Sequence, residues 1–502
     1  MKPSHVLLLG LTCLAARPVL AQSGAPGVRV PVAAPAGPGR PSALPTPPPP
    51  TADRADRLKI EQRGGVLRFA GSNPVGMQLV PELLTAYGAD ARLRAAKEEQ
   101  APTVEERTIV LQAAESSRLL RGEIKGHGSA SAFTDLQTGK ADVGMASRRI
   151  DPVEARAMAA ARVGEMQRPG NENVISLDGI AFIVHRTNPV QTLTAAQLRD
   201  LLSGAITRWS EVGGPDLPVT VYGHDDKSGT FELIQQRVFN KAGTLLKTAK
   251  LQESSEDLAD AVASDPAAIG FVGIASARNA KPVRIASECG LPAAEPSAFQ
   301  VKTEEYPLSR RLYFYLADKH SPLADDFVKF SLSPAAQPAI RRAGFVNLDP
   351  ILDTAPAAAL APYAPKSPAG VALPIPPSAP AREEALKAAL AGAQRLSITI
   401  RFESGKSGVD SRGVADLERL LNWTRQAGAG KSITLVGHSS SDGEFEANAS
   451  LSLRRALEVE QRLKALGVQP AAVLGAGPLG PVACDTSPEN ANLNRRVEVW
   501  VR

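Results

Sequence analysis

The sequence has little sulfur, few aromatic residues and no long apolar run, and each shortage removes a class of protein. Three cysteines in 502 residues cannot build a disulfide framework. The six histidines are His5, His127, His185, His224, His320 and His438, and none pair at metal-ligand spacing, so no metal is expected. Nothing in the chain calls for a cofactor. No stretch reaches the 18 or so apolar residues of a membrane span. No Lys/Arg-rich stripe with interleaved aromatics is present, so nucleic acid is not an expected partner. No nucleophile sits in a catalytic setting: Ser228 lacks a Gly-x-Ser-x-Gly context, which argues for binding rather than catalysis.

What is present begins with Lys2, the apolar run Val6–Ala16 and Val19-Leu20-Ala21. That pattern predicts a signal peptide over 1–21, cleaved after Ala21, and an exported protein. Cleavage removes Lys2 and Arg17 and takes the formal charge from +5 to +3. Cys13 goes with it. Cys289 and Cys484 remain, and in an oxidising compartment a bridge between them would staple two domains. Two free thiols, or one linked to a partner, fit the sequence as well. Residues 22–63 and 351–384 are rich in Pro and Ala and read as semi-extended spacers. They bound two patterned regions, 64–350 and 385–502.

The first region alternates short apolar strands with helical patterns, an α/β arrangement. In open α/β sheets ligands sit beyond the carboxyl ends of strands, where helices begin. Three polar loops fit that place: Gly71–Pro74, Gly126–Ala132 and Asp225–Thr230. The last follows Val219-Thr-Val-Tyr222 and opens a helix at Ser228-Gly-Thr230. Unpaired N–H groups at a helix start favour an anion, and Ser228 and Thr230 add hydroxyl donors. Ordinary N-capping explains the same tripeptide when it is taken alone.

Asp178-Gly-Ile-Ala-Phe-Ile-Val184, Leu202-Ser-Gly-Ala-Ile-Thr-Arg-Trp209 with Gly213-Gly214, Ser228-Gly-Thr230, Glu305-Tyr-Pro-Leu-Ser-Arg310 and Gly344-Phe-Val346 occur in one order. In that order they resemble the periplasmic phosphate-binding proteins of ABC transporters. The resemblance implies two α/β lobes of the type II solute-binding fold, closing on phosphate or a related oxyanion. Carried over position by position, it implies ligand roles for Ser72, Asn73, Ser129, Ser131, Arg148, His224, Ser228, Gly229 and Thr230. Pro74 lacks an N–H where a donor is expected. His224 stands where the family commonly has Arg, so that clamp should be pH-sensitive. Trp209 and Tyr306 read as packing residues rather than ligand stackers.

The second region opens with Ile398-Thr-Ile-Arg-Phe402, apolar on alternate positions. Ala456, Val459, Leu463 and Leu466 form a helical stripe closed by Gly467. Val497-Glu-Val-Trp-Val501 alternates again. Gly437-His438, Asn448, Leu451-Ser452, Arg455-Ala456 and Asn494-Arg-Arg-Val-Glu498 resemble the OmpA-like peptidoglycan-binding domain, a small α+β fold. In that family an Asp and an Arg fifteen residues later grip diaminopimelate. Here Arg455 is kept, but Ser440 stands at the Asp position, and Asp442 is the nearest carboxylate. Arg495 and Arg496 should divide, one outward and one paired on the sheet.

The combined expectation is a periplasmic protein, associated with the wall or outer membrane, that binds an oxyanion and peptidoglycan. An envelope membrane complex is the partner such a protein would serve. Pro74, His224 and Ser440 all weaken charge recognition. They leave open a non-catalytic envelope adaptor whose first domain contacts proteins.

Overall fold

The computed structural model describes residues 65–91, 93–99, 103–113, 119–224, 229–252, 254–354, 360–364, 372–402 and 409–502. The predicted signal peptide and first spacer therefore lie outside the described residues. The first lobe holds β1 (Gly65–Gly71), β2 (Leu93–Glu99), β3 (Glu106–Ala113), β4 (Leu119–Lys125) and β5 (Val143–Ala146). The long strand β6 (Glu172–Val184) leads into the second lobe. There lie β7 (Thr192–Leu193), β8 (Thr220–Gly223), β9 (Lys250–Leu251), β10 (Ala268–Gly273), β11 (Lys281–Pro282) and β12 (Arg284–Ile285). β13 (Ser309–Tyr315) brings the chain back.

The strands run in the order β2-β3-β4-β1-β5-β13-β6-β10-β8-β9. β13 pairs antiparallel with β6 from Ser309↔Gly179 to Tyr315↔Glu172. It also pairs with β5 in the first lobe, while the far half of β6 pairs with β10 in the second. Two adjacent crossover strands thus join two lobes, as the two-lobed reading expects. β6 is apolar on both faces because both are covered: Leu177, Ile180, Ala181, Phe182, Ile183 and Val184 are each fully buried.

Each lobe has its own core, one around Phe69, Phe314 and Phe327, the other around Phe182, Trp209 and Phe271. Burying each such side chain is worth about 1.5–3 kcal/mol. Trp209 is fully buried, and its indole N–H donates to the Ala267 carbonyl at 2.8 Å. Tyr306 is buried too, with its hydroxyl donating to the Ile180 carbonyl at 2.9 Å. Both are packing residues with their polar ends satisfied.

The second module is a sheet of β14 (Gln394–Arg401), β15 (Ile433–His438), β16 (Ala472–Gly477) and β17 (Arg496–Val501), in the order β14-β17-β15-β16. Helices Ser411–Arg425 and Phe445–Ala465 pack on it. Ala456, Val459 and Leu463 of the predicted stripe are fully buried, and Gly467 at φ +87° follows the helix end. As alternation predicts, Arg496 turns into the sheet, donating to Glu498 Oε1 at 2.6 Å.

The stretch expected as the second spacer, 351–384, is no free tether at either end. Ile351 N–H donates to Ser397 Oγ at 2.9 Å, and Asp353 N–H to the Arg395 carbonyl at 2.7 Å, so the chain pairs with β14 at once. Leu360 and Tyr363 pack on the second module, and a helix begins at Ala379. Proline-rich composition removes backbone donors but does not stop isolated apolar side chains from docking.

Candidate functional site

The parallel strands β4, β1 and β5 lie side by side, with β1 in the middle. Their carboxyl ends bring together two predicted loop segments, Gly71–Pro74 and Gly126–Ala132, and the Ser147–Ile150 segment after β5. Gly71, at φ +140°, ends β1 in a place where a Cβ would lie 1.8 Å from the Met145 carbonyl oxygen, so only glycine lets β1 approach β5 this closely. Ser72 N–H then donates to that carbonyl at 2.8 Å. The Ser72 side chain is buried, and its hydroxyl has no hydrogen-bond partner among the described residues. A buried hydroxyl without a partner is costly, and it is a donor waiting for an acceptor. Asn73 and Pro74 start the helical segment beyond it, which begins with a π-helical turn, Val75–Leu79.

From β4, Gly128 at φ +94° feeds the helix Ser129–Gln137. Ser129 Oγ accepts from Ser147 N–H at 3.0 Å and lies 3.1 Å from Ser147 Oγ. Ser131 turns its hydroxyl back to the Gly128 carbonyl at 2.9 Å. The structure therefore pairs Ser129 with Ser147, the residue that precedes Arg148.

Arg148 forms a bidentate pair with Glu154, each terminal nitrogen 2.7 Å from a carboxylate oxygen. That hydrogen bonding holds its charge above the ordinary arginine range. Its fork is spent on the helix Pro152–Ala160 and does not reach out as an open anion clamp.

In the second lobe His224 is buried, with Nδ1 3.0 Å from the Gln252 carbonyl and Nε2 3.4 Å from Ser255 Oγ. A carbonyl can only accept, so Nδ1 carries the proton. The expected pH-sensitive clamp is instead a histidine engaged by its own lobe. Ser228 falls outside the described residues. Gly229 begins the helix Gly229–Arg237, with Thr230 next to it.

Asp178, Glu232 and Arg310 form a hydrogen-bonded cluster beside these residues. Arg310 on β13 donates to Asp178 Oδ2 at 3.0 Å and to Glu232 Oε2 at 3.1 Å. Ser147 Oγ donates to the same Glu232 oxygen at 3.3 Å. Glu232, one helical turn past Gly229, thus links the second lobe to the first. Asp178 and Arg310 were visible as family positions, but only the fold shows that they meet.

Beside these residues a cleft of about 580 Å³ extends between the lobes, the crossover and the second module, with Ser147, Arg237, Arg310, Cys484 and Asn490 among its lining. Cys289 and Cys484 form a disulfide across this junction, Cα–Cα 5.8 Å.

In the second module Arg495 gathers the predicted wall-binding positions. Its Nε lies 3.3 Å from Ser440 Oγ and its Nη2 3.4 Å from Asp442 Oδ2. Arg455 lies 5.5 Å above the Phe402 ring, and its buried Nη1 has no hydrogen-bond partner among the described residues. Burial, then repulsion from Arg495 and Arg454, lowers its pKa. Asp442 sits against Arg495, not against Arg455.

With that geometry in view, residues 109–335 match the PBP superfamily domain and residues 401–495 the OmpA family. The chain thus carries a region similar to the PBP superfamily domain, followed by one similar to the OmpA family. The phosphate-binding protein PstS of Pseudomonas aeruginosa is 26% identical over 246 residues, 45% of this chain and 74% of that protein. Protein SphX of Synechococcus elongatus is 28% identical over 236 residues, 44% of this chain and 67% of that protein. An ABC-type phosphate transport receptor from Vibrio cholerae superposes with a TM-score of 0.42 at 23% identity, covering 56% of this chain and 99% of its own. Among the described residues, no helix is long and apolar enough to cross a membrane.

Proposed function

We propose that the chain is an exported two-module binding protein. Its solute-binding domain takes phosphate or a similar oxyanion, and its OmpA-family domain holds it to peptidoglycan. The observation that carries the reading is the buried Ser72 hydroxyl just past β1, without a hydrogen-bond partner among the described residues, near the Ser129–Ser147 pair that follows β4 and β5. Adjacent hydroxyls at strand ends, facing a helix start across a cleft, supply hydrogen-bond donors that fit an oxyanion. The likeness to PstS and SphX supports phosphate. Localisation in the periplasm, at the wall or outer membrane, belongs to this reading, and so does service to an envelope membrane complex. No step of catalysis is assigned.

Glu232 favours a second reading. Its carboxylate already accepts from Ser147 and Arg310, so a group of the chain's own occupies two donors of the cleft. In that reading the domain has lost its anion and acts as an envelope adaptor. Calorimetric titration of the signal-free chain with inorganic phosphate separates the two. Saturable heat that Ser129→Ala weakens about tenfold supports the binding protein. No heat at millimolar phosphate sinks it in favour of the adaptor.

A further inference from the structure

The second module reaches the oxyanion loops through one carboxylate. Glu172, the first residue of β6, has a fully buried side chain. Its Oε1 accepts from Ser411 Oγ at 2.6 Å. Its Oε2 accepts from Arg149 Nε at 2.8 Å and from the Tyr315 hydroxyl at 3.1 Å. Tyr315 Oη in turn accepts from Ile150 N–H at 3.0 Å. Ser147, Arg149 and Ile150 are one short loop, so Glu172 ties that loop to the start of the second module's helix Ser411–Arg425. Burial is the largest single influence on Arg149 and lowers its pKa, but the hydrogen bond and charge of Glu172, with Tyr313, together outweigh it and raise the pKa overall.

A parallel link runs through the other crossover strand. Arg310 and Arg311 are neighbours on β13, and strand alternation sends them to opposite faces. Arg310 meets Asp178 and Glu232 in the cleft. Arg311 meets Glu304 at 2.5 Å and the second module's Asp410 at 2.7 Å. Asp410 also caps the helix, its Oδ1 accepting from Gly413 N–H at 2.7 Å. Both crossover strands are therefore held by two consecutive residues of the second module, Asp410 and Ser411.

We infer that Ser411 and Asp410 are positioning residues for the oxyanion site, acting through Glu172 and Arg311. This inference rests on the oxyanion reading of the cleft. Lobe motion in a two-lobed protein is absorbed by a few residues where the chain crosses between lobes. Here those residues carry buried, charge-assisted hydrogen bonds to another module, and bonds of that kind are the strong ones. Losing the Ser411 hydroxyl leaves a fully buried carboxylate oxygen without its donor. Glu172 then shifts, and Arg149 and the Ser147 loop shift with it. Linkage makes the effect reciprocal, so an anion that fixes the Ser147 loop also tightens the seat of the second module.

The test uses the full signal-free chain and the variants Ser411→Ala, Ser411→Thr and Asp410→Asn. Inorganic phosphate affinity is measured by calorimetry, amide exchange at residues 147–151 by mass spectrometry, and folding by thermal melting. The expected result for Ser411→Ala is a cooperative melt, at least fivefold weaker phosphate binding and at least tenfold faster exchange at 147–151. Ser411→Thr, which keeps the hydroxyl, should restore both. Unchanged affinity with unchanged exchange at 147–151 would overturn the inference. Should Ser411→Ala fail to fold, Asp410→Asn carries the same readings, since its amide oxygen can still cap Gly413. If even the parent chain binds no phosphate, the oxyanion reading fails on its own. Exchange at 147–151 then decides: acceleration keeps the link between module and loop, and no change removes it.

Discussion

Arg401 Nε donates to Glu304 Oε2 at 3.1 Å, joining β14 of the second module to the turn that precedes β13. Glu304 holds a left-handed backbone at φ +61°, a conformation that costs a non-glycine residue free energy and persists where its surroundings fix it. Here the fixing groups are three arginines. Arg311 donates to Glu304 at 2.5 and 3.0 Å, and Arg412 donates to the same carboxylate.

Burial alone would raise the Glu304 pKa, but Arg311, Arg412 and Arg401 together push it far below the carboxylate range. Glu304→Gln should therefore leave three cationic groups without their shared anion and cost about 3–5 kcal/mol near pH 7. The sign with pH follows from a depressed folded-state pKa. The contribution is full above the unfolded value, about 4.3, and fades as pH falls below it. Denaturant unfolding of parent and variant checks this: the gap between them should narrow below about pH 4. A gap that stays constant from pH 7 to 3 would show that the charge is not what matters.

Lys302 tests the opposite case. Its amine is buried, donating to the Asn347 carbonyl and, at 2.7 Å, to Asn347 Oδ1, and burial lowers its pKa to about 7. An unfolded lysine keeps its proton to about pH 10.4. Between those values the unfolded chain binds more protons than the folded one, so this residue makes stability rise with pH from about 7 towards 10. Lys302→Met should flatten that slope. Melting temperatures at pH 7, 8 and 9 for both chains give the comparison, and parallel curves would refute the buried neutral amine.

At the wall-binding end, Arg455 and Arg495 lie close enough to repel, with Ser440 between family expectation and fact. Ser440→Asp restores a carboxylate at the family position, next to Arg495. Binding to purified peptidoglycan sacculi should rise severalfold in sedimentation assays, and Arg455→Ala should lower it. Equal sedimentation of all three chains would mean that this pocket is not the wall contact.

Local pattern made much of this fold legible. Alternation marked β14 and β17, the stripe Ala456–Leu463 marked the long helix, and Gly467 marked its end. Two of the expected loops, Gly71–Pro74 and Gly126–Ala132, follow the carboxyl ends of β1 and β4, and most of the third lies outside the described residues. What the sequence does not show is which partners fold against the expected ligand positions: Arg148 meets Glu154, and His224 meets Gln252 and Ser255. Glu172 and Ser411 lie 239 residues apart, and neither has a local signature that predicts the other. The proline-rich stretch misled for a related reason. Composition reports which hydrogen bonds a segment cannot make, and it says little about which apolar side chains find a groove.

The Cys289–Cys484 bond spans 195 residues of sequence and closes a covalent ring around the whole junction. A protease that cut the chain anywhere between those two positions would sever the backbone without parting the halves. The link between the first and second modules therefore does not rest on the proline-rich segment that connects them in sequence. Clipping of that segment would leave the two modules joined by the disulfide, and a reductant would still leave the Glu172 and Glu304 contacts between them.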